Sequence, residues 1–181
     1  MNEPTTSSRV LYLVICGSPR ARKISDLIDR AHHRGWTVYV AATPMGLQFL
    51  DVPAVEHQTE TPVRSEYAIP SPPEPWPPAD AILVCPATFN TINKWATGIA
   101  DTLALSIITE ANGLPIPIVA APALNNAQEQ HPAFRRSTET LRAMGVAVIY
   151  GPGLYEPTAP GTGGRPYNFD LPLDALEPGQ P

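Results

Sequence analysis

The chain is poor in charge. Of its 181 residues only 16% are Asp, Glu, Lys or Arg, against about 25% in ordinary globular domains. So little charge leaves neutral surface for contacts between subunits. The net charge is -5, so no basic field draws phosphates in, which argues against a nucleic-acid or membrane-surface protein. Cysteine is scarcer still. Cys16 and Cys85 alone rule out a disulfide framework and a four-cysteine zinc site. No apolar run nears the ~20 residues that span a bilayer, and the polar stretch Met1–Ser8 carries no basic start of a secretory signal. The reading is a soluble cytoplasmic protein with reduced thiols. Three nucleotide and hydrolase motifs are also missing. The text after the first strand is CGSPRA, not GxGxxG, and neither GxxxxGK[ST] nor GxSxG occurs.

What the chain has in excess is proline: 23 of 181, about 13% against a usual ~5%. Pro70, Pro72, Pro73, Pro75, Pro77 and Pro78 crowd into PSPPEPWPP, a stretch without backbone donors that reads as a surface loop. Beyond Gly151 the chain is again Pro- and Gly-rich and reads as irregular. Between these regions the pattern is regular. Val10–Cys16, Thr37–Ala42, Ala81–Cys85, Ile116–Ala121 and Val146–Tyr150 are short apolar runs, read as strands buried on both faces. Helical spacing runs from Pro19 to about Arg34, from Thr91 to about Glu110 and over Pro132–Met144, with a short helix at Gly46–Leu50. Strands alternating with helices make parallel βαβ units. The expected fold is one flavodoxin-like, doubly wound α/β domain over residues 9–153. A disordered N-terminus covers 1–8, and a C-terminal extension or lid covers 154–181.

In such sheets ligands bind beyond the carboxyl ends of the strands. Those ends carry Gly17 and Ser18, Thr43, the turn Thr88–Thr91, and Pro122-Ala-Leu-Asn125. Helix starts offer unpaired N–H groups to an anion, and Ser18, Thr88, Asn90 and Thr91 add hydroxyl and amide groups. Each of these residue types is also an ordinary helix cap. With no dinucleotide fingerprint, a mononucleotide-sized ligand such as FMN fits better than NAD or ATP.

One stretch goes further. Cys85–Ala104, CPATFNTINKWATGIADTLA, resembles the PASANT-INK-A-GI-DNLL signature of the homo-oligomeric flavin-containing cysteine decarboxylases, the phosphopantothenoylcysteine and peptidyl-cysteine decarboxylases. Pro86, Ala87, Asn90–Lys94, Ala96 and Gly98–Asp101 fall in register, and Gly17-Ser18 and Pro122-Ala-Leu-Asn125 resemble two further family motifs. The resemblance runs from about Arg9 to Gly153. It implies a flavodoxin-like subunit that binds FMN and assembles as trimers or multiples of them. Carried over by position, the cofactor meets Gly17, Ser18, Thr43, Thr88, Phe89, Asn90, Thr91 and Ala123, and Asn125 holds the carboxylate of a small or peptidyl substrate. In decarboxylating members the flavin takes two electrons from the cysteinyl thiol, and the carboxylate then leaves.

Three departures stand against that pattern. Ser65, in PVRS, occupies the place of the family histidine, and the proline run replaces the helix expected after it. Gln128-Glu129 replaces a Met-Trp pair, and the late Cys-Gly is missing. Two other readings therefore stand beside the decarboxylase: a flavin-binding regulatory module that has lost catalysis, and a flavin prenyltransferase. Among the remaining residues, His32 and His33 suit the end of a helix, His57 lies in a polar loop able to swing toward the site, and His131 precedes Pro132 at a helix start. No histidine pair has metal-ligand spacing, so no metal is expected. Cys16 and Cys85 read as buried core thiols on adjacent strands. Trp76 is a candidate to cover the flavin. Trp95 reads as core or subunit interface, and Trp95 with Leu103, or the opposite stripe of that helix, are candidates for a subunit contact.

Overall fold

The computed structural model describes residues 9–67, 76–151, 155–162 and 167–177. The expectation for 1–8, and most of that for the proline run, lies outside them. Five strands, β1 (Arg9–Ile15), β2 (Trp36–Ala42), β3 (Ala81–Ala87), β4 (Ile118–Pro122) and β5 (Ala147–Val148), form one sheet in the order β2-β1-β3-β4-β5. Every pairing is parallel. This is the doubly wound α/β fold that the alternation predicts. The order reverses between β1 and β3, which opens the crevice where such sheets take ligands.

Each face of the sheet carries its own core. One packs Leu11, Leu13, Val38, Val40 and Leu83 under α1 (Ile24–His33), α3 (Val52–Thr59) and α8 (Asp170–Asp174). The other packs Val14, Ile82, Val84 and Ala120 under α4 (Phe89–Ala96), α5 (Leu103–Ala111) and α7 (Pro132–Ala143). Two four-residue helices, α2 (Pro44–Leu47) and α6 (Asn126–Glu129), follow β2 and β4. The period-2 exchange of faces explains why these strands are apolar throughout. Helix α8 is pinned by charge as well. The Arg34 guanidinium reaches Asp174 at 2.6 Å and Asp170 at 3.1 Å, and Arg30 reaches Asp170 at 2.6 Å.

Several expectations need correction. The helix from Pro19 begins as a 3₁₀ turn, Pro19–Lys23, because Ser18 caps it and Pro19 opens it. The long helix over 91–110 is two helices. Gly98 takes φ +75, with Gly98 N–H on Trp95 O and Ile99 N–H on Lys94 O, a left-handed cap that ends α4. Thr102 then caps α5. The last strand keeps only Ala147–Val148, and the short helix starts at Pro44, not Gly46. The stretch around His57 is not a loop but α3, capped by Asp51 with Pro53 in its first turn. Helix α8 interrupts the region read as irregular. Of the two readings of Trp95, core and subunit interface, the structure supports the core: it is buried, its indole N–H donating to Asn112 Oδ1 at 2.7 Å.

Candidate functional site

Four strand ends meet in one cleft of about 590 Å³, within the range of small-ligand sites. It is lined by Gly17, Ser18 and Pro19 after β1; Thr43, Pro44 and Met45 after β2; Thr88–Thr91 and Lys94 after β3; Thr102 and Leu105 of α5; and Ala123 and Gln128 after β4. All eight residues proposed for a cofactor are therefore on its walls. The floor is tight because two glycines permit it. A Cβ on Gly46 would stand 2.5 Å from the carbonyl oxygen of Ile15, and one on Gly17 would stand 2.3 Å from Met45 Cγ.

The polar side chains do two jobs at once. Ser18, Thr43, Thr88 and Asn125 are all helix caps: they accept from the backbone N–H groups of Arg20, Gly46, Thr91 and Gln128. Capping engages an oxygen as acceptor and leaves the hydroxyl protons of Ser18 and Thr43 to donate, whereas the Thr88 and Thr91 hydroxyls share a hydrogen bond at 3.1 Å. The first amides of α4, at Phe89 and Asn90, precede its first intrahelical bond, Ile92 N–H to Thr88 O, so they have no partner within the helix. Ala123 brings no donor, since its N–H is engaged by Ala87 O at 2.8 Å. Among the described residues Lys94 is the one charged residue on the wall, and no carboxylate of theirs lines it. A cation, short hydroxyls and helix-start amides make a donor set that suits an anionic, mononucleotide-sized group.

Behind the wall lies Cys16. Burial pushes its thiol up from the ordinary cysteine value, and hydrogen bonds toward Thr91 and Thr88 only partly oppose this. Burial raises Cys85 as well. The two strands are neighbours, but Cys16 belongs to the core on one face and Cys85 to that on the other.

Other candidates lie elsewhere. Asn125 is half-buried two residues past Ala123, between the wall residues Ala123 and Gln128, where it caps α6. His57 is exposed on α3 beside Glu56 and Glu60, away from the cleft. Trp76 does not cover the cleft. It packs on the sheet against Tyr12 and Tyr39, ring centroids 5.0 and 5.4 Å away, under the Arg64 guanidinium. Ser65 follows Arg64, whose backbone pairs with β2 through Val40 and Ala42. Phe89 is a cofactor residue by resemblance alone, and no local signal in the sequence announces its setting. It stacks on Phe134 and meets the ring of His131 edge-on at 5.5 Å. Among the described residues no group of three or more metal-ligating side chains is gathered, and no helix is long and apolar enough to cross a membrane.

Comparison with known proteins gives this geometry a context. The pattern of the family described as Flavoprotein matches residues 2–166. A coenzyme A biosynthesis bifunctional protein, CoaBC, of Thermococcus kodakarensis is 32% identical over 144 residues. That alignment takes in 77% of this chain but 36% of the relative, so the chain spans about a third of that protein's length. Two solved structures share the fold. The FMN-dependent cysteine decarboxylase TvaF from thioviridamide biosynthesis has TM-score 0.70 and 23% identity, with 94% of this chain and 99% of that one covered. The FMN-binding protein AtHal3 has TM-score 0.73 and 22% identity, with 93% and 95% covered.

Proposed function

The chain belongs to the Flavoprotein family, and from that premise we propose that it binds FMN in the cleft and carries out decarboxylase-like chemistry on a small or peptidyl cysteine substrate. The observation that carries the reading is the convergence of Gly17, Ser18, Thr43, Thr88–Thr91 and Ala123 on one cleft with the Lys94 cation on its wall. Bound flavin supplies an acceptor for two electrons from a thiol; the polypeptide supplies position. Ser18, Thr43 and the amides opening α4 hold the phosphate and polar edges. Asn125, fixed by its cap to Gln128 N–H at 2.9 Å, orients a substrate carboxylate at the rim. We place the protein in the cytoplasm, and we propose a trimer or a multiple of it, which the exposed side chains of Met45 at the rim and Ile99 beyond α4 support.

The test is direct. The purified protein is yellow or turns yellow with added FMN, near one flavin per chain, and releases carbon dioxide from a cysteine-ended peptide or phosphopantothenoylcysteine. A colourless protein that ignores FMN overturns the reading. Ser65 supports a second one, a flavin-binding module without turnover: an alcohol does not exchange protons near neutral pH as an imidazole does. FMN binding without carbon dioxide release selects it.

A further inference from the structure

We propose that Gln128 is a specificity-determining residue: its Nε2 amide donates to an oxygen acceptor of the substrate, so the cleft selects thiols that carry a carboxylate or acyl oxygen. The inference rests on the flavin reading above. Gln128 lines the cleft and closes a reciprocal cap with Asn125. Its backbone N–H donates to Asn125 Oδ1 at 2.9 Å, and Asn125 N–H donates to its Oε1 at 3.4 Å. A backbone N–H can only donate, so the atom that faces it is the amide oxygen. The trigonal amide carbon then turns Nε2 away from the helix start. The same logic applies to Asn125, whose Oδ1 is engaged and whose Nδ2 remains. With the hydroxyls and Lys94, itself paired with Asp101, the wall presents donors, and among the described residues no carboxylate lines it. Where the resembled motif has a thioether, this chain has an amide donor. Gln128 is exposed in the unliganded cleft, so the discrimination arises when a bound thiol covers its Nε2. A donor then desolvated against an alkyl group is costly, and a site that hydrogen-bonds an oxygen rejects ligands that lack one more strongly than an apolar wall can.

The experiment uses the FMN-loaded protein, the variants Gln128→Glu and Gln128→Met, and three thiols read by calorimetry: 3-mercaptopropionate, N-acetylcysteamine and propanethiol. Glutamate at this position closes the same capping box but removes the donor. Q128E is expected to keep the melting temperature and flavin content of the parent. It should weaken an oxygen-bearing thiol by about tenfold or more and leave propanethiol unchanged. Loss for 3-mercaptopropionate identifies a carboxylate as the acceptor; loss for N-acetylcysteamine identifies an acyl oxygen. Q128M is expected to narrow the preference for oxygen-bearing thiols over propanethiol. Thiol binding equal to the parent in both variants overturns the proposal, as does flavin loss in both, which assigns Gln128 to the cofactor. A parent that takes up no FMN overturns the flavin reading itself and this inference with it.

Discussion

Lys94 Nζ lies 2.5 Å from Asp101 Oδ2, across the turn that separates α4 from α5. The two side chains are 29% and 50% exposed, so as a stabilising contact the pair is worth at most about 1 kcal/mol. Its larger effect is to hold the Lys94 ammonium at the cleft wall. Lys94→Gln is expected to leave the melting temperature almost unchanged while weakening FMN about tenfold. Riboflavin, which lacks the phosphate, should bind as before. Fluorescence titrations with both flavins check this; equal losses for the two would sink it.

Gly46→Ala drives a methyl group against the backbone carbonyl of Ile15, an obstacle that cannot rotate away. The expected cost is about 1–3 kcal/mol, with reduced flavin affinity because the turns after β1 and β2 separate. Thermal unfolding and flavin titration of the same sample read both effects. A variant as stable as the parent would show that the floor is not tight.

Asn125→Ala removes the cap of α6, at about 1 kcal/mol. It is expected to weaken carboxylate substrates while FMN stays bound. Asn90→Ala, on the cleft wall, is expected to weaken the flavin instead. Parallel KM and flavin titrations separate the two; flavin loss in the first variant would reverse the assignment.

The missing histidine makes its own forecast. FMN remains bound while cysteine decarboxylation is slow, since general acid–base help usually contributes 10²–10⁴-fold. Ser65→His is expected to raise the rate in carbon dioxide release assays without changing flavin content. Brisk turnover by the parent chain would show that another group has taken over the proton.

Cys16 and Cys85 make alkaline pH the weak side of the fold. Both thiols titrate above their ordinary value of 9.0 because burial disfavours the thiolate. The unfolded chain therefore releases these protons first as pH rises, and each thiol's contribution, complete below pH 9, fades above it. The slope approaches roughly 1.4 kcal/mol per pH unit for each thiol. Melts from pH 7 to 11 should be flat and then fall, with a shallower fall in Cys85→Ala; a flat profile throughout would contradict the burial. Lying on opposite faces of the sheet, the two thiols are also expected to form no disulfide under oxidant, which a thiol count in denaturant checks.

Much of this architecture was legible because it rests on local chemistry. Continuous apolar runs such as AILVC mark strands covered on both sides, and Gly35 and Gly145 mark helix ends that the structure shows with φ +79 and +89. The long helix was misread because Ile92, Trp95, Ile99 and Leu103 keep helical spacing straight through a break. The signal that tells otherwise, Gly98 followed by Thr102, is a C-cap and an N-cap in sequence. Helix α3 was announced in the same way by Asp51 and Pro53. The position of Trp76 was not legible, since only the tertiary fold brings Tyr12 and Tyr39 together beneath it.

Helix α8 carries a consequence of another kind. The family pattern stops at residue 166, yet Leu173 and Leu176 beyond it are as buried as the strands, and Arg34 anchors both aspartates of that helix. Each such leucine is worth roughly 2 kcal/mol of burial. Where the family resemblance ends is therefore not where cooperative unfolding ends. A chain trimmed to the matched region would leave wet a hydrophobic seam between α1 and β4, and solubility would suffer before the cleft itself was touched.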